Sequence, residues 1–266
     1  MRQLDPADLV GHSFGPYALH VSPDVVDEFV SITGDLHHRW STAAPPGFMA
    51  AALFAVAPEL LDQLGGRSVI HGEQTFAWMR TMEVGAVLDV TGTVTRSRER
   101  GGVHFTTFEI EATDLDGTVG TGSSLFLISG EGSPGNATEE RTEPRHDDRG
   151  PRGDDFVSAS RADLIRYAAA TRDWNPIHWD HDAAVAAGLP GVVVHGLLQA
   201  GWAFRTATMP TIGHCPLTRA RVRFRNPLLP AQAAEVHTEW TDYDVNVSLV
   251  DGDKTCLTAK VEFADE

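Results

Sequence analysis

The amino-acid order predicts an α+β protein in which one helix-on-antiparallel-sheet unit is built twice. Three observations carry this. Two apolar stretches of helical period precede four runs of strand period. The same order recurs after a polar interruption. Each copy also sets an aspartate after its first helix and a glycine at the start of its second. Asp35 and Asp173 stand 138 residues apart, and Gly47 and Gly196 stand 149 apart, so the second copy has 11 more residues between these marks. Helices followed by strands, twice, imply helices laid on antiparallel sheet.

A short strand is expected near residues 17–21. Ser22-Pro23-Asp24 starts a helix, with serine at the N-cap, proline at the first helical position and an acid in the first turn. Val25, Val26, Phe29 and Val30 form its apolar stripe, and Gly34 ends it. Pro45-Pro46-Gly47 opens a strongly apolar helix over 48–64, closed by Gly65-Gly66. Strands follow over 68–79, 84–96, 103–113 and 118–129. The last two read as a hairpin turned at Asp116-Gly117.

Residues 130–155 are polar, rich in Gly and Pro and dense in mixed charge, which predicts a linker without a core of its own. The second copy begins with a strand over 156–159. Ser160 and Asp163 make a capping-box-like helix start. Leu164, Ile165 and Ala168 give the stripe, and Thr171-Arg172 the end. Asp180, His181 and Asp182 read as the start of a short helix. An apolar helix is expected over 196–209, then strands over 217–224, 235–241, 246–250 and 254–263. A long apolar helix wrapped by antiparallel sheet is the hot-dog arrangement. The chain is therefore expected to be a double hot dog: a first unit over 1–129, the linker over 130–155, and a second unit over 156–266.

At 266 residues there is room for two such units, and 42% hydrophobic with 22% charged residues is the composition of a soluble globular chain. A formal net charge of −16 argues against nucleic acid or an anionic membrane surface as partner. Cys215 and Cys256 are too few for a disulfide framework and show no metal-ligand spacing, so a reduced cytoplasmic setting is expected, with no metal and no cofactor. The first residues lack a signal-peptide core. The longest apolar run, 48–57, is too short to span a bilayer.

Chemistry concentrates in residues 167–202. Asp173, Asn175 and His178 fall within six residues, and Pro176 keeps a helix from running through them. A carboxylate, an amide and an imidazole are thus held on a stiff loop ahead of a glycine-started helix. The run Arg172-Asp173-Trp174-Asn175-Pro176-Ile177-His178 resembles the G-D-x-N-P-hydrophobic-H signature of the MaoC-like, or hydratase 2, family of (R)-specific enoyl-thioester hydratases and 3-hydroxyacyl-thioester dehydratases. Only Arg172 departs, standing where the family usually has glycine. The stretch Ala187 to Gly196 also matches the family's A-G-L-P-G-x-x-x-H-G, and His71-Gly-Glu-Gln-Thr-Phe is similar to a first-half strand of actinobacterial members. The resemblance implies the double hot-dog fold and an acyl-CoA or acyl-carrier-protein thioester as partner, in a monomeric pseudo-dimer or a homodimer.

The two copies differ where it matters. The first has Asp35 followed by Leu36-His37-His38-Arg39-Trp40, without the Asn and the Pro. It reads as a degenerate structural partner, and its lost site would leave width for a bulky acyl chain. Adding water across a C2–C3 double bond beside a thioester needs a proton moved at each carbon and a stabiliser for charge on the thioester oxygen. Asp173 and His178 can hold one water and serve both transfers; which of them acts at C2 is open at this point. The Gly196 N–H, at a helix start, can face the oxygen. Asn175 would orient its neighbours.

Other residues have plainer readings beside functional ones. His195 fits packing or support at the helix start better than catalysis. Trp174 fits core or tunnel wall better than a substrate stack. His71, with Glu73, faces either the groove between the halves or a buried polar pairing on a strand. Arg219, Arg221, Arg223 and Arg225 alternate and share one strand face. That is a solvated face on an edge strand, or, at Arg221 and Arg223, a contact for the phosphates of coenzyme A or phosphopantetheine. Competing activities are a hot-dog thioesterase, an enzyme adding an internal hydroxyl or amine to the enoyl thioester, and a non-catalytic acyl-thioester binding module.

Overall fold

The structure, a computed structural model, describes residues 4–130, 153–211, 213 and 216–264. Most of the expected linker, residues 131–152, and Cys215 lie outside them.

The first half runs β1 (Ser13–His20), α1 (Pro23–Thr33), α2 (Met49–Leu64), β2 (Ser68–Trp78), β3 (Val87–Arg100), β4 (Val103–Asp114) and β5 (Gly117–Ser129). The second runs β6 (Phe156–Val157), α3 (Arg161–Thr171), α4 (His181–Ala186), α5 (Gly196–Thr208), β7 (Leu217–Phe224), β8 (Ala234–Trp240), β9 (Asp244–Asp251) and β10 (Lys254–Phe263). Short 3-10 turns at Pro46–Phe48 and Pro176–His178 use proline's fixed φ at their first positions. Ser22 starts α1 but makes no side-chain cap bond, whereas Ser160 and Asp163 form both bonds of a capping box.

The strands form one antiparallel ten-stranded sheet in the order β1-β3-β4-β5-β2-β7-β10-β9-β8-β6. Read outward from the centre, each half has the same sequence of strands, so the duplication is visible in the topology. Strands β2 and β7 join the halves, with Glu73 opposite Arg223, Thr75 opposite Arg221 and Ala77 opposite Arg219. Strand β7 is therefore central, and the expectation of an edge strand is corrected. Its partner is recruited from the other half, about 150 residues away, which no local pattern announces. Alternation puts Ala220 and Val222 on the buried face with α5, and the arginines on the outer face.

The two long helices lie on the inner face and cross where glycines allow. A Cβ on Gly47 would sit 3.1 Å from Gly201 Cα, so the helix-start turn and α5 touch backbone to backbone. Leu53, Val56 and Leu60 of α2, and Leu198, Ala203 and Phe204 of α5, are buried against the sheet. Among the described residues, Pro46–Leu64 is long and apolar enough to cross a membrane. Here it is a core helix, and that accounts for its composition. Helices α1 and α3 pack across the halves, with the Arg166 guanidinium on Glu28 and the Phe29 ring 5.8 Å from Tyr167.

Candidate active site

Helix α3 ends at Arg172, which takes a left-handed conformation, φ 65° and ψ 17°. This backbone state favours glycine. It turns the chain sharply, so Asp173 points inward and is 5% exposed, while Trp174 points out and is 50% exposed. The expectation that Trp174 is core or tunnel wall is thus corrected: its neighbour takes the inward place. The Asn175 Oδ1 accepts from the Ile177 N–H at 3.4 Å and caps the short Pro176–His178 turn. The Asn175 N–H in turn reaches Asp173 Oδ1 at 3.5 Å.

His178 is buried beside Asp173. Its Nδ1 lies 2.8 Å from the Val193 carbonyl oxygen. A carbonyl only accepts, so Nδ1 carries the proton and Nε2 presents a lone pair. The same argument sets His195, whose Nε2 lies 3.2 Å from the Asp173 backbone carbonyl and must be the donor. The two imidazoles stack, 3.8 Å between centroids and 25° between planes. His195 thus supports the dyad: it packs on one member and holds the backbone of the other. Desolvation lifts the Asp173 carboxyl to about 7, opposed by the Asn175 amide. Desolvation also lowers His178 to about 4, opposed by the Val193 carbonyl. His195 is held well below the usual imidazole range by burial and by His178. Near neutrality, both rings are therefore uncharged and Asp173 is poised to hold or release a proton.

Asp173, His178 and His195 offer one ligand atom each within 4.8 Å of one another. Each ring spends one nitrogen on a carbonyl and keeps the other as a lone pair.

Gly196 opens α5 and leaves its amide at the positive end of the helix. A Cβ there would lie 2.9 Å from the Phe224 ring, so glycine is required by packing as well as by approach to the amide. Phe224 in turn packs tilted against His71, 4.8 Å between centroids, and Phe126 packs against it at 4.9 Å. His71 therefore does lie between the halves, one ring away from Gly196. Burial lowers it to about 4.

Arg221 and Arg223 are not brought to this site. Both bond the Glu73 carboxylate, at 2.8 and 3.0 Å, on the face of the sheet opposite α5. The structure places both at a seam between the halves, paired with Glu73 on the outer face of the sheet. Tyr167 and Gln199 were not singled out by sequence, yet both are buried around His195. The Tyr167 ring is 4.8 Å from it, and the Gln199 side chain folds back onto the Val194 carbonyl.

In the first half, Asp35 is likewise buried, but its main polar neighbours are the Trp40 indole and the Arg39 guanidinium, with His37 a weaker influence. His37 and His38 stack on each other at the surface, 4.4 Å apart. Arg39 enters instead and donates to the carbonyls of Thr208 (2.6 Å), Thr211 (3.0 Å) and Gly213 (3.2 Å), beyond the end of α5. A structural clamp thus occupies the pole where a second dyad would be.

Comparison with known proteins covers both halves. The family described as MaoC-like domain matches residues 142–261, and that described as FAS1-like dehydratase domain region matches residues 8–119. A UPF0336 protein of Streptomyces griseus is 30% identical over 132 residues, covering 40% of this chain and 88% of its own. A solved MaoC-like dehydratase superposes with a TM-score of 0.79 at 22% identity, over 98% of this chain and 100% of that one. A Mycobacterium tuberculosis protein described as a double hot dog superposes with a TM-score of 0.67 at 13% identity, over 99% of each chain. These structural likenesses establish the double hot-dog fold.

Proposed function

The chain belongs to the MaoC-like dehydratase family, and from that membership we propose that it reversibly hydrates a trans-2-enoyl thioester to an (R)-3-hydroxyacyl thioester. The partner is an acyl group carried on coenzyme A or on a carrier protein. The observation that carries this reading is the pair of opposed protonation states in one buried place: His178 Nε2 with a lone pair, beside an Asp173 carboxyl lifted toward neutrality.

In the hydration direction, His178 Nε2 takes a proton from water as the water oxygen bonds to C3. The C2–C3 π electrons move toward C2 and the thioester carbonyl. The Gly196 N–H, with the α5 dipole behind it, meets the negative charge on that oxygen. Asp173 delivers its proton to C2, and the proton held by His178 returns to Asp173 through solvent or the dyad. Dehydration runs the same steps backward. Asn175 and His195 act through the loop: one caps its turn, the other holds the Asp173 backbone.

Incubation with crotonyl-CoA tests the reading. Loss of enoyl absorbance without free thiol is expected, giving the (R)-3-hydroxy product. Thiol release would assign a thioesterase instead, and no reaction with enoyl thioesters of any chain length would leave a binding module.

A further inference from the structure

Beside the dyad, three buried polar atoms have no hydrogen-bond partner among the described residues: Tyr167 Oη, His195 Nδ1 and Gln199 Oε1. They belong to one neighbourhood. The Tyr167 ring packs tilted against His195, 4.8 Å between centroids. Gln199 stands one turn after His195 on α5: its backbone N–H bonds the His195 carbonyl and its side-chain amide the Val194 carbonyl. Because His195 Nε2 donates to Asp173, its Nδ1 is an acceptor. Gln199 Oε1 is an acceptor too, and Tyr167 Oη can both donate and accept.

Buried polar groups are seldom left unpaired, and three together beside a reaction centre call for a common ligand. Two acceptors and one hydroxyl complement a group that is itself an O–H. Burial disfavours a charged ligand. We propose that Tyr167, His195 and Gln199 form a hydroxyl-binding pocket behind the dyad, which takes a water molecule or a hydroxyl on the acyl chain. An O–H donated to His195 Nδ1 fixes the ring in the form that holds Asp173. Tyr167 and Gln199 are thus positioning residues for the reaction. This role rests on the hydration reading, whereas the pocket itself does not.

The test uses Tyr167→Phe, Gln199→Met and the double variant of the full chain. If water is the ligand, Tyr167→Phe lowers the Tm of the free protein by about 2–4 °C, as expected for one lost hydrogen bond in a chain of this size. Its kcat on crotonyl-CoA then falls about tenfold at nearly constant KM, and the double variant is no worse than the worse single one, because all three lose the same ligand. If a substrate hydroxyl is the ligand, Tyr167→Phe raises Tm by removing an unpaired group, and its losses appear only with enoyl-CoA bearing a hydroxyl further along the chain. A raised Tm with both substrates turned over as by the wild type overturns the pocket, as do losses that simply add. Wild-type failure on every enoyl thioester would instead count against the proposed function, and the Tm comparison would still decide whether a water is held.

Discussion

His178 gives its Nδ1–H to the carbonyl of Val193, 2.8 Å away. That bond decides which nitrogen is left for chemistry. It also ties the catalytic loop to the stretch leading into α5, where the Val193 N–H returns to the Ile177 carbonyl at 3.2 Å. His178 and the start of α5 are therefore held on one braced segment, as the proposed reaction, with proton acceptor and oxyanion donor at fixed spacing, requires.

The dyad's reactive form carries one proton. With Asp173 lifted to about 7 and His178 lowered to about 4, kcat/KM should be highest between these values and fall on either side. The linkage sign follows. The Asp173 carboxyl is raised above its ordinary 3.8, so its burial costs nothing below that pH and costs most above about 7. Asp173→Asn should then raise stability above pH 7, on the order of a few kcal/mol, while slowing turnover by about 10²–10⁴-fold. Thermal melts at pH 5 and pH 8 check this. An equal effect at both would contradict it.

Gly196→Ala places a Cβ 2.9 Å from the Phe224 ring. The ring or the start of α5 must shift, which moves the amide aimed at the thioester oxygen. Steady-state kinetics should show a kcat loss of about 10²-fold, the size seen when one oxyanion donor is removed. Adding Phe224→Leu should restore part of it by making room.

Arg172 holds a left-handed backbone at φ 65°, where a side chain is strained by roughly 1–2 kcal/mol. Arg172→Gly, which restores the residue usual in the family signature, should raise Tm by about 2–4 °C. Thermal denaturation decides.

The proposed function gives the first-half pole a structural role. Arg39→Ala leaves the carbonyls of Thr208, Thr211 and Gly213 without their donor and should cost about 2–4 kcal/mol in a denaturant titration. Asp35→Asn, by contrast, should keep wild-type turnover, because the Asp173–His178 pair lies in the other half.

Much of this architecture could be read from residue order. Periodicity located the helices and strands, and Ser160 with Asp163 foretold a cap that the structure forms. The signature around Asp173 and His178 marked two residues that the structure buries side by side. What escaped has a common cause: its partners are far away in the chain. Strand β7 looked like an edge because β2, its neighbour, lies in the other half. The acceptors of Arg39 are backbone carbonyls about 170 residues on, which no local pattern announces. Tyr167 and Gln199 drew no notice, since pattern does not say which buried polar atoms lack a partner. The signal for Arg172 was present, as a non-glycine in a glycine position, and its meaning came from φ alone.

The most direct measurement is single-turnover hydration of an enoyl-CoA by wild type, Asp173→Asn and His178→Ala side by side. The wild type should consume the enoyl absorbance without releasing thiol, and each variant should lose about 10²–10⁴-fold in rate, the usual contribution of a positioned acid or base. Either variant keeping the wild-type rate would contradict the assignment of the chemistry to this dyad.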